Sequence, residues 1–214
     1  MSDAEAPSIS VLDAIHSTRA MRRLKPDPVP DHLIEQVLQA GLCAANGGNR
    51  QNWGFIVVRD KQLKQQVQHY YQRAFDEIID PHYSNSPPPP GMDAARYQRQ
   101  HTAVAHLTAH FHEAPVWIVA CLDSRPNKPN RGSGASIYPA VQNMLLACRA
   151  LGLGATLTTR HMFYATDVDQ LFGLPEGVDS YAIIPIGYPL GKFGPVRRDQ
   201  RAAVHLEQWG NQAP

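Results

Sequence analysis

Residues 134–159 read GASIYPAVQNMLLACRALGLGATLTT, and they contain the most apolar helix that the sequence predicts. Apolar side chains recur at helical spacing from residue 136 to residue 151, so this segment is expected in the core. The glycines at 152 and 154 are typical of a helix end. Residues 155–159 are then predicted to form a short strand, so that a buried helix leads directly into a sheet.

Three more strands are predicted around this run, over residues 55–58, 116–122 and 182–186, because each is a short apolar stretch without alternation. The predicted helices are residues 11–16 behind a Ser10 cap, a helix capped by Asp31 that extends to Leu42, residues 60–79, residues 94–112, and a helix capped by Thr166 that ends at Leu171. A proline-rich excursion from Asp80 to Met92 interrupts the pattern. Helices and strands alternate irregularly, which predicts one α+β domain over residues 1–214. Its centre would be a mixed sheet of four or five strands with helices on both faces.

Composition excludes several classes of protein. The chain has 214 residues, 43% of them hydrophobic and 18% charged, so it is globular rather than disordered. A net charge of +1 argues against nucleic-acid binding and against a basic membrane patch. An acidic start predicts no signal peptide, and no apolar run is long enough to span a bilayer.

Cysteine and histidine spacing predicts no metal site. Cys43, Cys121 and Cys148 are far apart and set in apolar surroundings, so they are expected to be buried free thiols of a cytoplasmic protein. His106 and His110 lie four residues apart on a predicted helix, a spacing that can bind a divalent metal. Ten histidines make such a pair common by chance, and the sequence positions no carboxylate or cysteine partner.

Two polar motifs lie in the first quarter of the chain. Residues 19–23 are Arg19, Ala20, Met21, Arg22 and Arg23, and guanidinium groups converging before a proline turn suit a phosphate monoester. On this segment alone, a solvated basic turn is the better interpretation. Residues 44–53 read AANGGNRQNW, where the carboxamides of Asn46, Asn49 and Gln51 suit the donor and acceptor edge of a flavin ring. A plain turn with Trp53 in the core is an equal alternative.

Two further motifs lie later in the chain. The glycine pair after the buried helix has a structural interpretation as a helix stop and a functional one, in which backbone amides of the following strand face a flavin. The turn at residues 187–189 is followed by FGPVRR at residues 193–198. A basic C-terminal tail would explain Arg197 and Arg198 equally well.

These four motifs, in this order and spacing, resemble the nitroreductase family of flavoproteins from about Val11 to Trp209. The resemblance implies that Arg19 and Arg22 bind the phosphate of flavin mononucleotide (FMN), with Ala20 where serine is usual and Arg23 as a substitute donor. Asn46 stands where serine is usual, beside Asn49 and Gln51. The resemblance further implies backbone contacts to the ring from Leu157, Thr158 and Thr159. Arg197 would close over the phosphate, or Arg198 if the register shifts by one.

The resemblance also implies an activity and an assembly. We expect an FMN-dependent oxidoreductase that passes electrons from NADH or NADPH to a small electrophilic acceptor, such as a nitroaromatic or a quinone, by a ping-pong mechanism. No side chain is predicted to be catalytic, and the sequence has no GxGxxG motif after a strand. A homodimer is expected, with the C-terminal tail exchanged and residues 83–97 either a substrate lid or a disordered surface loop.

Several alternatives remain open from the sequence. Relatives that fragment flavin or remove halogens share the same motifs, and a flavin-binding protein without turnover or a histidine metal module is also compatible. The physiological acceptor and the preference between NADH and NADPH are not encoded in any motif.

Overall fold

Four strands form the central sheet of this computed structural model, which describes residues 9–130, 132–196 and 203–212. They are β1 (Trp53–Val58), β2 (Val116–Asp123), β3 (Gly154–Ala155) and β4 (Val178–Gly187). Their order across the sheet is β1-β2-β4-β3, and each neighbouring pair is antiparallel. The α+β class and a count of four strands are confirmed, whereas the predicted mixed sheet is wrong. Continuous apolar strands reflect burial on both faces, which here occurs in an antiparallel sheet.

Seven α-helices surround the sheet in the described part of the chain. They are α1 (Val11–Ser17), α2 (Asp31–Leu42), α3 (Lys61–Ala74), α4 (Asp80–Asn85), α5 (Ala94–Ala109), α6 (Gly134–Ala150) and α7 (Ala165–Leu171). A π-helical turn, Phe75–Ile79, joins α3 to α4, so the predicted break at Asp80 is wrong. Pro81 lies in the first turn of α4, so the helical chain continues past a residue that has no N–H to donate.

The helix caps and the third strand differ in part from the predictions. The Ser10 cap is confirmed, because its side chain accepts from the Asp13 N–H at 3.1 Å. Pro30 and Tyr164 occupy the cap positions that had been predicted for Asp31 and Thr166. The predicted strand at residues 155–159 is shorter than expected: β3 ends at Ala155, and an isolated pairing with β4 follows at Thr158.

The core has two layers, one on each face of the sheet. Helices α2 and α6 pack on one face through Ile34, Val37, Val141 and Met144. Helices α3, α5 and α7 pack on the other through Val67, Tyr71, Leu107 and Val168. Alternate residues of β4 serve the two layers, as the pleat of a strand requires. In the part of the chain that the structure describes, no helix is long and apolar enough to cross a membrane.

The cysteines do not share one environment. Cys121 and Cys148 are buried, and burial raises the pKa of each thiol to about 12. Cys43 is exposed at the end of α2, so the expectation of three buried thiols is wrong for this residue. Its position at the helix end turns it outward although its sequence neighbours are apolar.

A buried histidine is held in one tautomer beneath α7. His161 is fully buried, with Nε2 3.0 Å from the hydroxyl oxygen of Ser180. The Ser180 hydroxyl donates its one proton to the carboxylate of Asp169. Nε2 of His161 must therefore donate to Ser180, so the neutral form of the ring has an unprotonated Nδ1. Burial is the main cause that lowers the pKa of His161 to about 4.

Candidate functional site

The arginine-rich segment lies along the edge of the sheet beside β3. The Met21 N–H donates to the Ala155 carbonyl at 3.0 Å, and the Lys25 N–H donates to the Tyr188 carbonyl at 2.8 Å. These bonds hold the segment between β3 and the turn that follows β4. Gly154 permits the close approach, because a Cβ there would lie 2.8 Å from Cδ2 of Leu24.

A cavity of about 470 Å³ opens beside this segment, and we call it the arginine cavity. Its cationic lining comes from Arg19 and Arg22, and its apolar lining includes Leu145 and Leu157. The ion pairs found among the described residues involve neither arginine. A cavity with free guanidinium groups and apolar walls can hold a molecule that combines an anionic group with a ring.

Only some residues of the predicted arginine segment line the arginine cavity. Arg19, Ala20 and Arg22 line the arginine cavity, whereas the side chain of Met21 is buried. Arg23 does not line this cavity and acts instead on His106, whose pKa is lowered by burial and by the charges of His110 and Arg23.

The backbone after β3 presents amide groups at an open sheet edge. Both the N–H and the carbonyl of Thr158 are bonded to Ile183, at 3.0 Å each. In an antiparallel ladder the neighbouring residues point their backbone groups the other way, so those of Leu157 face outward, whereas the Thr159 carbonyl accepts from the Met162 N–H at 3.0 Å. Of the three residues predicted to contact a flavin through their backbone, Leu157 has that orientation, while Thr158 is paired with β4 and the Thr159 carbonyl is engaged in the following turn.

The second predicted motif forms a rigid loop before β1. Oδ1 of Asn46 accepts from the Gln51 N–H at 2.9 Å, and Nε2 of Gln51 donates to Oδ1 of Asn49 at 3.0 Å. Asn49 and Gln51 both adopt positive φ angles, 52° and 49°. The three carboxamides therefore shape the loop, while Gly47 and Gly48 line a separate cavity of about 320 Å³.

The two halves of the predicted site do not meet in one chain. The loop leads into β1 at one edge of the sheet, and the arginine segment lies beside β3 at the other edge. Three strand spacings separate these edges, about 14 Å. Within the described residues, the arginine cavity and the cavity at Gly47 share no lining residue.

Some lining residues of the arginine cavity had not been predicted. They are His16, Thr18, Gln142 and Thr156. Gln142 is an exposed polar residue beside the buried Val141 on a mostly apolar helix, and that contrast could have indicated it. Arg197 and Arg198 lie outside the described residues, so their predicted role at the phosphate stays a prediction.

Comparison with known proteins places this fold and its motifs in one family. The sequence profile of the nitroreductase family matches residues 15–188. The chain belongs to the nitroreductase family. The arginine segment, the loop of residues 44–52 (the glycine loop) and the strand after α6 all lie within the matched range.

Named nitroreductase-family relatives span nearly the whole chain. A Thermus thermophilus protein named NADH dehydrogenase is 27% identical over 206 residues, covering 92% of this chain and 95% of its own length. The iodotyrosine deiodinase of Thermotoga neapolitana is 26% identical over 180 residues, covering 83% and 87%. A nitroreductase from Desulfitobacterium hafniense, solved with bound FMN, has the same fold. Its TM-score is 0.69 at 20% identity, and the match covers 92% of this chain and 98% of that one.

Proposed function

We propose that this nitroreductase-family protein is an FMN-dependent oxidoreductase that passes electrons from NADH or NADPH to a small electrophilic acceptor. The observation that carries the proposal is the arginine cavity, where Arg19 and Arg22 stand beside apolar walls. Its volume of about 470 Å³ lies in the usual range for a small-molecule site. The Desulfitobacterium protein with bound FMN supports the choice of cofactor.

The chain's own residues would bind and orient the cofactor. Arg19 and Arg22 would hold the phosphate through paired N–H donors, and Arg197 or Arg198 would close over it. The outward backbone groups of Leu157 and the N–H of Thr159 would bond the edge of the ring. FMN, when bound, supplies the electron transfer, so no acid or base side chain is required. The nicotinamide and the acceptor would use the same space in turn.

We further propose that a homodimer completes the site. The glycine loop and the arginine cavity lie at opposite sheet edges, so the partner's loop would face this cavity. Helix α1 exposes Val11 and Leu12 at 66% and 61%, and Trp209 in the tail is 91% exposed. Large exposed apolar side chains mark contact surfaces. Exchange of the tail between subunits would cover Trp209.

Introducing negative charges on the exposed apolar face of α1 tests the proposed dimer. The double variant Val11→Asp and Leu12→Asp is expected to sediment as a 23.7 kDa monomer and to lose its flavin, while the wild type sediments at twice that mass. Val57→Asp is the matched control, because Val57 is 40% exposed on β1, away from α1. A wild-type monomer that retains flavin would contradict the dimer.

The activity is tested by absorbance under anaerobic conditions. The purified protein is expected to show flavin bands that bleach on addition of NADPH or NADH and return when a nitroaromatic or a quinone is added. The faster nicotinamide identifies the donor. Bands that persist with both donors would contradict the proposed reductase and support a flavin-binding protein without turnover.

A dehalogenase is the second candidate, because the Thermotoga relative is named iodotyrosine deiodinase and matches 83% of this chain. The reduced protein would then release iodide from 3-iodotyrosine. Residues 83–97 are the segment that would differ between the two activities, as a lid over the acceptor. Tyr83 stacks on His101 at 4.7 Å and lies 4.9 Å from Tyr97, so this part of the segment packs against α5.

A further inference from the structure

A second, larger cavity lies between α3 and the turn before β2, apart from the predicted flavin motifs. Its volume is about 620 Å³, and we call it the basic cavity. Its apolar walls come from Pro26, Pro28 and Pro115. Its polar walls come from three cations, Arg59, Lys61 and Lys64, together with Gln65, His112 and the carboxylate of Glu113. The arginine cavity shares none of its described lining residues.

Lys64 is the unusual member of this lining, because its side chain is buried and charged. The residue is only 3% exposed. Its ammonium donates to the Ala114 carbonyl at 2.7 Å and more weakly to the Pro115 carbonyl at 3.5 Å. An ammonium carries three donors, so one remains for a further acceptor. Burial and then the charges of Lys61 and Arg59 lower the pKa of Lys64, whereas Asp60 raises it by less.

The acidic side chains in and around the basic cavity each have a partner other than Lys64. Glu113 pairs with His110 at 3.0 Å, and Asp31 pairs with Arg59 at 2.6 Å. Asp60 caps α3 and accepts from the Leu63 N–H. Lys64 therefore has carbonyl partners but no carboxylate among the described residues, and a buried cation without a counter-charge is costly.

His112 adds an unused polar atom to the same wall. It lines the basic cavity, and its Nδ1 is buried without a hydrogen-bond partner among the described residues. Buried polar atoms normally have a partner. The lining thus has both an unused donor on Lys64 and an orphaned ring nitrogen on His112.

We propose that the basic cavity binds a small organic anion, with its phosphate or carboxylate group on Lys64 and Lys61 and its apolar part between the prolines. The anion supplies the counter-charge that the chain itself does not. A volume of about 620 Å³ accepts a molecule well beyond the size of an inorganic ion. The proposal is independent of whether FMN binds to the arginine cavity.

The test is calorimetric titration of the FMN-saturated protein with phenyl phosphate, benzoate and the neutral benzyl alcohol. One anion is expected to bind per chain, and benzyl alcohol is not expected to bind. Lys64→Met should weaken anion binding about tenfold or more, and Lys61→Gln about threefold. Lys192→Gln, an exposed lysine outside the cavity lining, should leave the affinity unchanged. The anion that binds more tightly identifies the ligand's charged group.

Two results would overturn this proposal. One is that neither phenyl phosphate nor benzoate binds to the wild type. The other is that both anions bind Lys64→Met and Lys61→Gln as tightly as the wild type. If Lys64→Met does not fold, the charge reversal Lys61→Glu decides, since it should abolish binding. If the protein takes up no FMN, the same titration on an Arg19→Ala and Arg22→Ala variant keeps phosphate out of the arginine cavity and tests the basic cavity alone.

Discussion

Replacing Arg19 and Arg22 together by alanine is expected to weaken FMN binding by a factor of about 10² to 10⁴. Both arginines line the arginine cavity. A hydrogen bond to a charged group contributes about 1.5–3 kcal/mol, so two of them amount to roughly 3–6 kcal/mol. Quenching of flavin fluorescence on titration into apoprotein measures the change directly.

The adjacent arginine provides the matched control for this experiment. Arg23 carries the same charge in the same segment but does not line the arginine cavity. Arg23→Ala is therefore expected to change the FMN affinity by less than about threefold, as for a surface charge. Equal losses in Arg23→Ala and in the double variant would show that general basic charge, not the cavity, attracts the flavin.

Acidification is expected to destabilise the protein through His161, and His161→Gln should remove that part of the pH dependence. The folded-state pKa of about 4 lies below the ordinary value of 6.5. Between these two pH values, His161 is protonated in the unfolded chain but not in the folded chain. Stability is unaffected by this residue above pH 6.5, falls as pH decreases from 6.5 to 4, and levels off below. The loss across that window is about 3 kcal/mol.

Urea unfolding at pH 7, 5.5 and 4.5 measures this effect. His161→Gln will be less stable at pH 7, because it disturbs the bond to Ser180, but its stability should fall less steeply with acid. His69→Gln is the control, since His69 is exposed and should keep the wild-type slope. A slope in His161→Gln equal to that of the wild type would show that His161 titrates normally in the folded state.

The sequence predicted those parts of the fold that depend on local pattern. Apolar runs located all the long strands, and helical spacing located α2, α3 and α6, because burial imposes both patterns directly. Strand direction has no such local signature, so the mixed sheet was wrong. The helix beyond Ile79 was missed because the consecutive prolines at 87–90 were taken to break the pattern from Asp80 onward, whereas the helix continues to Asn85.

Four of the predicted site residues, Arg19, Ala20, Arg22 and Leu157, line one cavity, but the arrangement of the motifs in the fold was not predicted. Motif order indicated the residues, yet nothing local in the chain says that the glycine loop and the arginine segment lie at opposite edges of the sheet. The same holds for Met21 and Arg22, which are adjacent in sequence while only Arg22 lines the cavity. Which of two neighbours faces a cavity depends on a pairing with Ala155, over 130 residues away.

The open edge after β3 has a consequence for how copies of this chain behave in a crowded solution. An unpaired strand edge is a template on which other chains can add strands and aggregate. Within the described residues this edge is short, because Met21 covers Ala155, the Thr159 carbonyl accepts from the Met162 N–H, and a 3₁₀ turn begins at Arg160. Two guanidinium groups also stand in the adjoining cavity. The edge is short, and the positive charges of the two arginines would repel the same charges on a second copy. A small anionic ligand can therefore reach this edge, whereas fibril-like growth on it is disfavoured.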